Sequence, residues 1–74
     1  MPEFVESNYS GVYKRAVELY NIKKFKDAFN LLEIVVENDK SNYNASFLLA
    51  ECYFDGKGTV KDERKAFNLY YFAI

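Results

Sequence analysis

Seventy-four residues, half of them apolar and 19% aromatic, fit one small domain with ample core material and exclude a low-hydrophobicity disordered chain. Ten basic and eleven acidic side chains leave a net charge of −1. That balance argues against nucleic acid as a partner, because binding it calls for a basic stripe. No apolar run approaches the length of a membrane span, and the opening Met1-Pro2-Glu3-Phe4-Val5-Glu6 is acidic where a signal peptide would be basic. No membrane association and a cytoplasmic location are therefore expected. Cys52, the single cysteine, excludes an intrachain disulfide.

Helical spacing of apolar residues predicts four helices. The first covers about Asn8 to Tyr20, with Val12, Ala16, Leu19 and Tyr20 on one side and Gly11 weakening its first turn. The second runs from about Lys24 to Glu37 on a stripe of Phe25, Ala28, Leu32 and Val35. Leu31, Ile34 and Val36 widen that stripe, so burial on more than one side is expected. The polar stretch Asn38 to Asn42 reads as a connection, with Ser41 or Asn42 placed to cap the next helix. That third helix spans about Tyr43 to Phe54 through Ala45, Leu48, Leu49, Cys52 and Tyr53. Asp55-Gly56-Lys57-Gly58-Thr59 ends it, glycine readily taking the left-handed conformation of a helix terminus. Asp62 is the expected cap of a fourth helix from Glu63 to about Ala73, carried by Ala66, Leu69, Tyr70 and Ala73. Nothing alternates as a strand would, so the class is all-α.

The two halves repeat. Tyr9, Tyr13, Ala16 and Leu19 match Tyr43, Phe47, Ala50 and Tyr53 at a constant offset of 34. Ala28, Leu32 and Val35 match Ala66, Tyr70 and Ala73 at an offset of 38. One four-residue insertion between Tyr53 and Ala66, at the glycine-containing turn, reconciles the two offsets, and fixed periods mark repeat architectures. Ala16 with Ala28 and Ala50 with Ala66 are small where antiparallel helices can approach closely, while larger neighbours fill the grooves. One repeat domain over residues 1–74 follows, with repeat one at about 9–42 and repeat two at about 43–74, standing alone or as part of a longer array.

Ala16, Leu19, Tyr20, Phe25, Ala28, Leu32 and Val35 together resemble a degenerate tetratricopeptide repeat. Leu49-Ala50-Glu51-Cys52-Tyr53-Phe54-Asp55-Gly56-Lys57-Gly58, then Asp62, Lys65-Ala66, Tyr70 and Ala73, is similar to a Sel1-like repeat. It departs from that pattern at Ala50, Thr59, Leu69 and Ile74, and the first repeat has Lys40 where the tetratricopeptide pattern favours proline. The resemblance covers nearly everything beyond residue 9. It implies two antiparallel helix–turn–helix repeats in a short right-handed α-solenoid, acting as a non-enzymatic protein-interaction module. It further implies that a protein or peptide partner sits on the concave face, at Tyr13, Val17, Tyr20, Asn21, Asn44, Phe47, Glu51 and Phe54. Aromatic anchors dominate the energy of such surfaces, and at least two of the four aromatics are expected to be exposed. Tyr13 and Val17 stand where some tetratricopeptide proteins carry a carboxylate clamp, which argues against a C-terminal carboxylate as ligand.

Tyr71, Phe72 and Ile74 form a second candidate surface, because a solenoid normally ends on a polar face. Either a further helix follows there or another chain covers it. A structural homo-oligomer through this helix is the alternative function, and a regulatory subunit of a separate enzyme is the third. Catalysis is the poorest reading. Without histidine the commonest general base and metal ligand is missing, and Cys52 lies on the apolar side of its helix, as packing requires. No cofactor and no metal are expected. Glu33 and Glu37 read as solvated acids near Lys40, and Lys23, Lys24 and Lys26 as side chains snorkelling around Phe25. Gly56-Lys57-Gly58-Thr59 lacks the spacing and the strand of a phosphate loop.

Overall fold

The computed structural model describes residues 8–73, which form four helices. These are α1 (Ser10–Asn21), α2 (Phe25–Asn38), α3 (Tyr43–Asp55) and α4 (Glu63–Ala73). Among the described residues there is no strand. α1 packs on α2 and α3 on α4, giving two helix–turn–helix pairs, and α2 packs on α3 to join them.

Each boundary has a local cause. α1 begins at Ser10, two residues later than the periodicity suggests, and Tyr9 at its N-cap makes no side-chain capping bond. It ends where the Lys24 N–H reaches the Leu19 carbonyl (2.8 Å) and the Lys23 N–H reaches that of Tyr20 (3.0 Å). This pairing closes a helix with one left-handed residue, usually glycine. Here Lys23 takes that role at φ +68°, a conformation that costs a side chain about 1 kcal/mol. Of the two candidate caps for α3, Asn42 serves: its side chain accepts from the Ala45 N–H at 3.0 Å. Asp62 caps α4 in the same way, accepting from the Lys65 N–H at 3.1 Å. α3 stops at Gly56, left-handed at φ +71°.

Ala16, Ala28, Ala50 and Ala66 are all fully buried, as expected of small residues at close helix crossings. Leu32, Val35, Leu49, Cys52 and Tyr53 fill the space around them. α2 is the central helix, meeting α1 on one side and α3 on another. Ile34, which widens its sequence stripe, falls on an outer side and is exposed.

The four-residue insertion of the second repeat has a structural use. The α3–α4 loop folds back over the start of α2. There the Lys57 ammonium stands 5.1 Å from the Tyr20 ring centroid and 5.3 Å from that of Phe25. Gly58, at φ +76°, lies so close to the Phe25–Lys26 backbone that a Cβ would come within 2.6 Å of the Phe25 carbonyl carbon. The shorter connection of the first repeat, Ile22 to Lys24, closes α1 and opens α2, the Lys24 carbonyl accepting from the Ala28 N–H at 3.0 Å.

Candidate functional site: the aromatic face of the second helix pair

Three ring contacts run across α3 and α4: Tyr43 to Phe72 (centroids 6.0 Å apart), Phe47 to Tyr70 (5.4 Å) and Phe54 to Phe67 (6.1 Å). Phe54 also meets Tyr70 at 6.4 Å. On α3 the rings at Tyr43, Phe47 and Phe54, four and seven apart, line one edge, and on α4 Phe67 and Tyr70, three apart, do the same, while Phe72 reaches Tyr43 from another side of α4. Tyr43, Phe47, Phe54, Phe67 and Phe72 all keep substantial exposure. The result is a row of exposed rings along one edge of α3, met from α4 by Phe67, Tyr70 and Phe72.

The residues singled out from sequence fall in several environments. Phe47 and Phe54 lie in the ladder and are exposed. Phe72 joins the same ladder through Tyr43, so the two candidate surfaces meet instead of standing apart. Tyr71 is 82% exposed. Ile74 lies outside the described residues. Tyr13 and Val17 are half-buried, and Asn21 and Asn44 are exposed. Tyr20 and Glu51 are tied to each other: the Tyr20 hydroxyl donates to Glu51 Oε1 (3.0 Å) and accepts from Lys57 Nζ (3.0 Å). The Tyr20 ring also meets Phe25 edge-on at 5.2 Å. This relay links the first helix of one repeat to the first helix and the loop of the next.

Tyr43, Phe67 and Tyr70 belong to the face although sequence reasoning did not assign them to a surface. The signal was present. At the repeat offset of 34, Tyr9, Tyr13 and Tyr20 correspond to Tyr43, Phe47 and Phe54, and at 38 Phe29 and Glu33 correspond to Phe67 and Tyr71. Every first-repeat member of these pairs is half-buried, while the second-repeat members are 36 to 82% exposed. The cause is visible on α2, where α3 covers the equivalent positions. Phe29 meets the Tyr53 ring at 5.4 Å, and Glu33 accepts from the Tyr53 hydroxyl at 2.9 Å. Glu33 is thus more than a solvated acid, since it fixes the junction between the pairs. Phe67 and Tyr71 thus stand open where, in the first pair, Phe29 and Glu33 are stacked upon, while Ile34, at the position of Phe72, is exposed in its own pair as well.

On the other flank of α4, a cleft of about 250 Å³ lies between the pairs, with Glu33, Val36 and Glu37 on one wall and Lys65, Asn68 and Leu69 on the other. Tyr53 forms part of its lining, under the Lys65 ammonium at 5.2 Å from the ring centroid. Cys52 is fully buried, and its burial pushes the thiol up to about 11, so it stays protonated and unreactive near neutrality. Among the described residues, no group of three or more Cys, Asp or Glu side chains could hold a metal ion, and no helix is long and apolar enough to cross a membrane.

The junction has a pH signature. Burial, and then the Glu33 carboxylate, push the Tyr53 phenol from its ordinary 10.0 up to about 12. Tyr53 and Cys52 are both neutral when folded and ionise more readily when unfolded. Their stabilisation is therefore complete below their ordinary values and is lost as pH rises through the folded ones. The urea midpoint is expected to hold steady up to about pH 9 and then fall steeply towards about pH 12. Tyr53→Phe should start lower but decline less above pH 10; parallel declines in the two proteins would count against this account.

No family model, curated protein or solved structure matches the chain.

Proposed function

We propose that the chain is a non-enzymatic protein-interaction module built from tetratricopeptide-like or Sel1-like helix pairs in a right-handed stack, working in the cytoplasm. The observation that carries this reading is the open set of rings on α3 and α4, where the first-pair counterparts of Phe54 and Phe67, namely Tyr20 and Phe29, are contacted by the second pair. Exposed apolar patches of this kind on small proteins mark interaction sites. Tyr and Phe supply large contact area at small conformational cost. The nearby polar groups Glu51, Asp55 and Lys57 offer both signs of charge for orienting a partner, and Asn44 adds an exposed amide on α3. The protonated, buried Cys52 and the lack of histidine support a binding role over a chemical one. Tyr13, Val17 and Asn21 on α1 would lie at the margin of the bound partner.

Site-specific photo-crosslinking tests this. A photoreactive phenylalanine analogue at Phe54 or at Phe47 should give discrete protein adducts in cells of the source organism, whereas the same group at exposed Lys40 should not. Adduct patterns indistinguishable from those at Lys40 would overturn the reading.

A further inference from the structure

α2 and α4 both pack on α3, and the cleft of about 250 Å³ is the gap left between them. Each wall is one helix face. Glu33, Val36 and Glu37 come from α2, and Lys65, Asn68 and Leu69 from α4, in both cases at spacings of three and four. Leu49 and Tyr53 of α3, both buried, form the floor. The base of the cleft is therefore apolar, while its two rims carry opposite charge.

Those rims do not neutralise each other. No ion pair joins Glu33 or Glu37 to Lys65, although all three line the cleft. Glu33 uses Oε2 to accept from the Tyr53 hydroxyl, which leaves Oε1 open. The Lys65 ammonium lies instead over the Tyr53 ring, 5.2 Å from its centroid, and this attraction holds it on its own side. A ligand with a single charge would match one rim and meet like charge on the other, which costs affinity. A ligand carrying both signs matches both rims at once.

We propose that this cleft binds a small zwitterion with an aliphatic side chain, the chemistry of a free branched amino acid. The ligand's ammonium faces Glu37 and Glu33 Oε1, and its carboxylate faces Lys65 Nζ and the Asn68 amide. Its side chain lies on Leu49, Val36 and Leu69. Size agrees: pockets for drug-sized ligands run from about 300 to 1,000 Å³, so about 250 Å³ suits a smaller molecule. The rim charges are exposed and screened, so a dissociation constant of about 1 mM is expected. This site is separate from the exposed rings, and the proposal goes beyond the interaction reading without depending on it.

NMR of the whole chain, following the methyl groups of Val36, Leu49 and Leu69 during titration with L-leucine, tests the proposal. Saturable shifts at those methyls are expected, with a midpoint of about 1 mM. The amine 3-methylbutylamine lacks the carboxylate, and 4-methylpentanoate lacks the ammonium. Each should bind at least about tenfold more weakly than leucine. Glu37→Gln and Lys65→Met, both at exposed positions, should each weaken leucine binding about fivefold with helical circular dichroism unchanged. Lys65→Met should also narrow the gap between leucine and the amine, because the like charge is gone. Absence of saturable shifts up to about 20 mM leucine would overturn the proposal. So would an amine or acid that binds the parent chain as tightly as leucine, or leucine binding that both folded variants leave unchanged. Should a variant fail to fold, the three ligands compared on the parent chain decide alone.

Discussion

Gly58→Ala is expected to lower folding stability by about 3 kcal/mol, from left-handed strain together with an unavoidable backbone clash. The strain comes from φ +76°, which a Cβ disfavours. The clash is the more serious effect. The added carbon would meet the Phe25 carbonyl group and would stand 2.9 Å from Lys26 Cα. Those atoms belong to the first turn of α2, whose backbone is held by the Ala28 N–H bond to the Lys24 carbonyl (3.0 Å), so no flexible side chain can swing aside. Relief requires the loop to lift from α2, taking Lys57 away from Tyr20 and Phe25. Gly56→Ala provides the control. Gly56 is also left-handed, but its added Cβ would meet nothing closer than 3.5 Å, so about 1 kcal/mol is expected. Urea denaturation of the two variants beside the parent chain measures the difference, and equal losses would show that loop docking contributes nothing.

Leu32→Ala should cost a similar amount, about 3 kcal/mol, for a different reason. Among the described residues Leu32 is the largest fully buried side chain, and it sits on α2, the helix that packs on both α1 and α3. Truncation removes the transfer energy of the lost carbons and leaves a cavity that Ala16 and Ala28, already minimal in size, cannot fill. A chain of this length has a total stability of only about 5 kcal/mol. The variant should therefore populate unfolded molecules near body temperature, read as a lowered thermal midpoint and a broadened transition. Ile34→Ala, two residues along the same helix on its exposed side, should change stability by less than about 0.5 kcal/mol. A comparable loss at both positions would contradict the placement of the core.

Much of the architecture is legible in the residues themselves. Period-3.6 placement of Ala16, Leu19, Ala28, Leu32, Val35, Leu49, Ala50 and Ala66 specifies helices and their inward faces, because a helix in water must bury its apolar stripe. Asn42 and Asp62 act as caps, and Gly56 as a stop, for reasons of local hydrogen bonding and backbone sterics that need no tertiary information. The constant offsets of 34 and 38 declare two equivalent pairs. What those rules cannot assign is the use of equivalent positions. Phe29 and Phe67 have the same place in the repeat, yet one lies against Tyr53 and the other faces solvent. Tyr20 and Phe54 differ likewise, the first held between Glu51 and Lys57. Which copy of a repeated face is covered depends on its neighbour in the stack, a contact between residues some 30 positions apart on separate helices. Local periodicity has no record of such a contact, so the sequence determined the helices, their caps and their pairing. The tertiary structure alone decided that Glu33 bonds to Tyr53, that the α3–α4 loop closes over α2, and that one aromatic face remains open.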